Sequence, residues 1–285
     1  CGIYGIKPTQ GRVPRPYMKP GGWGQFTQNG PMARSVRDAA ILLQVMSGPD
    51  LGDPTAISDQ DFNFYASLDN GVCGKKIGWS VNLGSLAVDP EVQSAIEKAI
   101  RVFEELGANV EEAKIELDHQ RIWELFQTVF FSDFTANYNN VLTESSDLLG
   151  PSSRAIAQEV STWPIHKLSL ALRELEWHRE RIDSVIRSYD VLLTPTLATT
   201  AFPIGDPPAV IDGHEVNPRF GFTPFTYPIN MSGHPAASVP CGFSSDGLPI
   251  GLHIIGQKRD EAVVLQVSAA FESARPWADK RPVVC

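Results

Sequence analysis

Paired cysteines are missing from this chain. Its four, Cys1, Cys73, Cys241 and Cys285, show neither the close spacing of a zinc site nor a disulfide framework. A reducing compartment is the simpler expectation, which makes the cytoplasm the default location. Basic excess is missing too. Lys and Arg number 24 against 33 Asp and Glu, for a formal charge of -9, and a nucleic-acid surface needs a concentrated basic patch. The nearest candidate, His178-Arg179-Glu180-Arg181, is interleaved with acid. No apolar run approaches the roughly 18 residues of a membrane span. Nucleic acid and membrane are therefore not expected partners.

Chemical signatures are equally sparse. The chain has no Gly-x-Gly-x-x-Gly after a strand, no Walker-type loop, no His-Glu-x-x-His and no Gly-x-Ser-x-Gly elbow. The six histidines are scattered. Cys241 with His234 as base is a conceivable nucleophilic pair, but a Cys between Pro240 and Gly242 at a strand end reads better as a small buried apolar residue.

What is present is a 42% hydrophobic, 20% charged composition, that of a globular protein with a sizeable core. Its organising stretch is 225–256, where turn residues alternate with short apolar runs and Asp246 is the sole charged side chain. Residues 236–241 and 250–255 read as two buried strands joined by Ser244-Ser245-Asp246-Gly247. Asn230 and the Gly233-His234-Pro235 turn stand at the mouth of this hairpin, where α/β folds tend to place ligands. A tightly packed entry turn explains the same residues equally well.

The rest follows in order. A coil rich in Gly and Pro fills 1–33 after a short apolar opening. Ser35 and Asp38 begin a helix with Ala39, Leu42, Leu43 and Met46 on one face, ended by Gly48-Pro49. Residues 50–70 read as surface loop. A strand at 76–81, a helix capped by Asp89 with Pro90 first and Gly107 last, and a strand at 109–117 form a parallel crossover, hence an α/β sheet. Helices are expected at 122–141, carrying an aromatic stripe through Phe126, Phe130 and Phe134, then at 152–161 and 166–189. The run 190–196 reads as a strand buried on both faces. Residues 197–222 form a long excursion of the kind that covers a site, and 260–274 a closing helix.

Five separated stretches, in order, carry a resemblance. They are Cys1-Gly2-Ile3-Tyr4-Gly5-Ile6-Lys7-Pro8-Thr9-Gln10-Gly11-Arg12-Val13; Gly30-Pro31-Met32-Ala33-Arg34-Ser35-Val36-Arg37-Asp38-Ala39-Ala40; Lys76-Ile77-Gly78-Trp79; Tyr189-Asp190-Val191-Leu192-Leu193-Thr194-Pro195-Thr196; and the hairpin, above all Asn230-Met231-Ser232-Gly233-His234-Pro235 and Gly247-Leu248-Pro249-Ile250-Gly251-Leu252. Over nearly its whole length the chain resembles the C-terminal part of an amidase signature enzyme. The resemblance implies an incomplete α/β/α fold with a mixed central sheet covered by helices on both faces, residues 1–285 being part of one domain. It implies hydrolysis of a small-molecule amide through a Ser, cis-Ser, Lys arrangement, with no metal or organic cofactor. It places all three catalytic groups upstream of Cys1, so no catalytic residue is expected here, the chain alone is expected to be inactive, and Lys7 is not the catalytic lysine.

Within the family, a free-standing amidase is favoured over the glutaminase subunit of the tRNA-dependent amidotransferase, because Phe222-Thr223-Pro224 lacks the acid expected to read a glutamine amino group. A catalytically silent binding module is the alternative from another class. Substrate-binding candidates are Phe130 from the aromatic stripe, Thr194 and Pro195 from the end of the buried strand, and Phe225, Thr226 and Asn230 from the hairpin mouth. Arg34 and Asp38 are expected to be structural, Asp38 capping its helix and pairing with Arg34 or Arg37. A homodimer is left open.

Overall fold

The computed structural model describes residues 1–16, 26–59 and 62–280. Part of the expected N-terminal coil, part of the 50–70 loop and Cys285 fall outside them. The described chain is built on a seven-stranded mixed sheet in the order β2-β1-β8-β9-β5-β3-β4. Its strands are β1 Tyr4–Lys7, β2 Met32–Ala33, β3 Lys76–Trp79, β4 Asn109–Glu112, β5 Val191–Pro195, β8 Ala236–Phe243 and β9 Pro249–Gly256. β3, β4 and β5 run parallel to one another, and every other pairing is antiparallel.

The hairpin β8–β9 lies near the middle, paired outward to β1 and to β5. Both strands are longer than the apolar runs suggest, and a bulge at Cys241 lets Pro240 occupy a strand that needs its N–H donors. Ser244 closes the turn, its Oγ accepting from Leu248 N at 3.1 Å, and Gly247 takes the left-handed conformation at φ 78°. β5 is buried at every residue, as a strand covered on both faces must be.

Helix α1 (Val36–Met46) and α8 (Glu261–Ala274) pack on each other, and α8 covers β8 and β9. Next to α8 lies α2 (Pro90–Glu105), the expected crossover between β3 and β4, capped by Asp89 accepting from Glu91 N at 2.8 Å. A second layer consists of α3 (His119–Asn137), α5 (Pro151–Ser161), α6 (His166–Ile186) and α7 (Tyr227–Ser232), with α4 (Asn139–Glu144) continuing from α3. Ile182 and Ile186 of α6 belong to the sheet core, whereas its Ala171 and Leu175 join Phe26, Phe126 and Met231 in a separate apolar cluster. One helix thus ties the two cores together.

Several expectations are corrected. The strand at 109–117 stops at Glu112 because β4 is an edge strand and its sole partner, β3, ends at Trp79. The 122–141 helix starts at His119, capped by the Asp118 carboxylate, and breaks at Tyr138. The excursion 197–222 contains a two-stranded ribbon, β6 Val210–Ile211 with β7 His214–Glu215. Leu42 is exposed, the inward face of α1 being Val36, Ala39, Ala40 and Leu43. The α1 cap is Ser35 Oγ, with Glu272 of α8 accepting from Val36 N, while Arg37 pairs with Asp69 and not Asp38.

The N-terminal segment is pinned to α8 by charge. Glu261, fully buried, accepts from Thr9 N at 2.8 Å and from Arg12 Nε at 3.2 Å. The equally buried Arg12 reaches Asp59 and lies 5.2 Å from the Phe62 ring centroid. Removing one partner of such a pair strands the other charge. Arg12→Met should therefore cost about 3–5 kcal/mol in urea unfolding; a loss below about 1 kcal/mol would show that the pair is not structural.

Candidate functional site

The aromatic stripe of α3 sets the site. Phe126 and Phe130, four apart and so on one helical face, stack with centroids 5.2 Å apart. Tyr227 of α7 stacks on Phe126 at 4.8 Å, and Phe220 meets both phenylalanines edge-on at 5.5 and 5.8 Å. Such geometries exploit the ring quadrupole and lock the side chains mutually. The rings surround a cavity of about 320 Å³ whose wall also includes Phe26, Phe222, Thr27, Gln28, Thr223, Thr226 and Asn230. Asn230 Nδ2 donates to Phe26 O at 3.3 Å, tying α7 to the N-terminal segment. Thr226 and Thr223 turn their hydroxyls back to the carbonyls of Thr223 and Phe220.

Among the described residues no lining side chain carries a charge, and none is a serine, cysteine, histidine or lysine. Burial pushes the Tyr227 phenol up to about 12, so it stays neutral. The cavity is an apolar, hydrogen-bonding pocket of the size range that takes small molecules. By contrast, the larger groove of about 650 Å³ between α3 and α6 is lined by Asp118, Arg121, Glu124, Lys167 and Glu174, with Arg121 paired to Glu174. It is a solvated charged seam.

Of the sequence candidates, Phe130, Thr226 and Asn230 come together in the aromatic cavity. Thr194, Pro195 and Phe225 are not in its wall. Thr194 and Pro195 sit inside β5 opposite His253 and Leu252 of β9, and Phe225 is fully buried in the sheet core. Tyr227, Phe220 and Phe26 were missed. They lie on a six-residue helix, in the long excursion and in the N-terminal coil, where no periodicity marks them. Phe126 was legible as a member of the stripe.

The Cys241–His234 pair does not form. Cys241 Sγ lies 3.5 Å from Ile250 O, and burial pushes its thiol up to about 12. His234 Nε2 contacts Asp183 at 3.2 Å and Nδ1 lies 2.9 Å from Ser232 Oγ. That Ser-His-Asp order resembles a relay, but Ser232 is only 1% exposed and its hydroxyl also reaches Ile229 O at 3.0 Å. The cluster joins α6 to the turn before β8. Lys7 adds to it, its ammonium meeting the His234 and Pro8 carbonyls, and burial draws it down to about 7.

Two histidines are held neutral here. Burial, then the charge of Lys258, lowers His234 to about 4; burial, then Lys7, lowers His253 to about 3. Above the unfolded value of 6.5 neither state binds these protons. Below it only the unfolded chain does, so stability falls as pH drops toward those folded values. Between pH 7 and 5 each should remove about 2 kcal/mol. Urea titrations at both pH values should show His253→Leu relieving about 2 kcal/mol of that loss; an unchanged pH dependence would mean that His253 is protonated in the fold.

Comparison with known proteins agrees with this architecture. The amidase family model matches residues 1–265. An acylamidase of Rhodococcus erythropolis is 34% identical over 99% of this chain and 59% of its own length. A glutamyl-tRNA(Gln) amidotransferase component from Synechococcus sp. (strain CC9902) is also 34% identical, over 99% of this chain and 61% of its length. The crystal structure of a bacterial aryl acylamidase belonging to the amidase signature enzymes superposes with a TM-score of 0.87 at 32% identity, covering 99% of this chain and 61% of that one. The chain thus spans about three-fifths of the relatives it matches. With motifs, sheet and family model in agreement over almost its full length, the chain belongs to the amidase signature family.

Proposed function

We propose that this chain is the substrate-holding part of an amide hydrolase that cleaves neutral small-molecule carboxamides bearing an aromatic or apolar group to a carboxylate and ammonia or an amine. The observation that carries this reading is the uncharged aromatic cavity between α3, α7 and the segment ending at Phe222. A planar ring entering it gains edge and face contacts while giving up little hydration, about 1.5–3 kcal/mol for a phenyl group. Chemistry is assigned to a Ser, cis-Ser and Lys contributed by residues other than 1–285, as the family resemblance implies; among the described residues no serine, cysteine or lysine lines the cavity. In that chemistry the activated serine adds to the amide carbonyl, the amine leaves with the proton relayed through the lysine, and water opens the acyl-enzyme.

The amidotransferase reading is less well supported. Glutamine carries a charged α-amino group, and among the described residues the cavity wall has no carboxylate to meet it. The aryl acylamidase among the similar structures agrees in kind with an aromatic substrate.

Acetanilide tests the proposal. Calorimetry should show saturable binding to residues 1–285 without release of aniline, and Phe130→Ala should weaken binding about tenfold through lost ring contact. Aniline release by this chain, or unchanged affinity in the variant, would contradict the assignment.

A further inference from the structure

Helix α7 carries the cavity residues Tyr227 and Asn230, three apart and so on one face, yet little in its own sequence holds it. Its six residues are far fewer than the roughly 12–15 that a helix needs to persist alone. Thr226 at its start makes no side-chain cap, and Pro228 inside it has no N–H to give. Its end is closed in part by Gly233 N, which serves the carbonyls of Ile229 and Asn230. The next carbonyl, Met231 O, needs a donor from elsewhere.

Helix α6 supplies it. Its buried stripe runs Ala171, Leu175, His178, Ile182 and Ile186, spaced by three and four. The other four are apolar, and His178 interrupts them where α6 passes from one core to the other. A polar ring so buried, 1% exposed, costs desolvation that only a hydrogen bond offsets. Its Nε2 lies 3.0 Å from Pro228 O. A carbonyl only accepts, so Nε2 is the donor, and burial disfavours a second proton on the ring. The adjacent Arg179 donates from Nε to Met231 O at 3.1 Å, while its Nη1 reaches Glu176 at 2.6 Å. A further contact from the same stretch of α6, Asp183 to His234 at 3.2 Å, holds the turn that follows α7.

We infer that His178 and Arg179 are positioning residues of the aromatic cavity: they grip α7 by its Pro228 and Met231 carbonyls, so that Tyr227 stays stacked on Phe126 and Asn230 stays in the wall. Neither residue lines the cavity itself. They act through α7, and a substrate meets only the groups that α7 presents. When the grip is lost, affinity falls with the fraction of molecules that still hold α7 in place. The inference rests on the reading of this cavity as the amide site.

The Trp123 indole, with its ring 6.0 Å from that of Tyr227, reports the placement of α7 in nuclear magnetic resonance spectra of the 285-residue chain. Its signal is identified by its loss in Trp123→Phe. In His178→Leu, whose side chain suits the apolar stripe, acetanilide should bind about fivefold more weakly and the Trp123 signal of the free chain should move. His178→Gln, which again offers an N–H to Pro228 O, should restore the signal and bring affinity back to within about twofold. A histidine that served stability alone would lower the urea midpoint on replacement and move neither readout. Arg179→Met keeps the stem of a side chain one-fifth exposed but removes the donor; it should weaken binding too, and it tests the grip even if His178→Leu does not fold. Unchanged affinity or an unmoved Trp123 signal in folded His178→Leu, no recovery in His178→Gln, or an Arg179→Met that binds like the unaltered chain would each overturn the inference. Failure of the unaltered chain to bind acetanilide would instead overturn the amide reading, and the Trp123 signal of the free variants would still decide whether α6 holds α7.

Discussion

The pairing of one hairpin on both of its edges is the constraint on which the rest depends. β8 and β9 hydrogen-bond to each other and outward to β1 and β5, so their backbone needs are met only inside a larger sheet. That condition fixes the turn feeding β8. Gly233 sits at φ 79°, where a side chain is strained, and its carbonyl accepts from Gln10 N at 3.1 Å. Because α7 ends in this glycine, Tyr227 and Asn230 inherit the precision of the sheet. The aromatic cavity is in that sense an extension of the hairpin. A pocket carried on an untethered loop would not hold rings at stacking distance.

Charge is segregated from that cavity. Glu261 and Arg12 neutralise each other under α8, and the Lys7, His234, Asp183 and Lys258 group lies around the turn before β8. His234 there and the nearby His253 stay neutral because burial, and then the charge of a neighbouring lysine, disfavours their protonated forms. Among the described residues, what faces the cavity is rings, amides and hydroxyls. The same separation supports the proposed neutral substrate over one that carries a charged α-amino group.

Much of the fold was legible because local signals coincided with global ones. The crossover was read from Asp89, Pro90 and Gly107, and each does its expected work, Gly107 at φ 83° included. The hairpin was read from its apolar runs and its Asp246-Gly247 turn. What was not legible depended on partners distant in sequence. Strand β4 ends where β3 ends, and α7 is too short, with Pro228 inside it, to show a helical period. The site was half legible for the same reason. Phe130 stood out in a periodic stripe, but its neighbours Phe26, Phe220 and Tyr227 converge only in three dimensions. Adjacent residues also part company: Phe225 turns into the sheet core while Thr226 faces the cavity, a distinction set by the start of α7.

Photolabelling tests the central claim, that the aromatic cavity holds the amide, most directly. A benzophenone carboxamide, irradiated with the chain and mapped by peptide mass spectrometry, should label segments containing Phe126, Phe130, Phe220 or Tyr227, in competition with acetanilide. Labelling confined to the charged groove between α3 and α6, or unaffected by the competitor, would contradict the account.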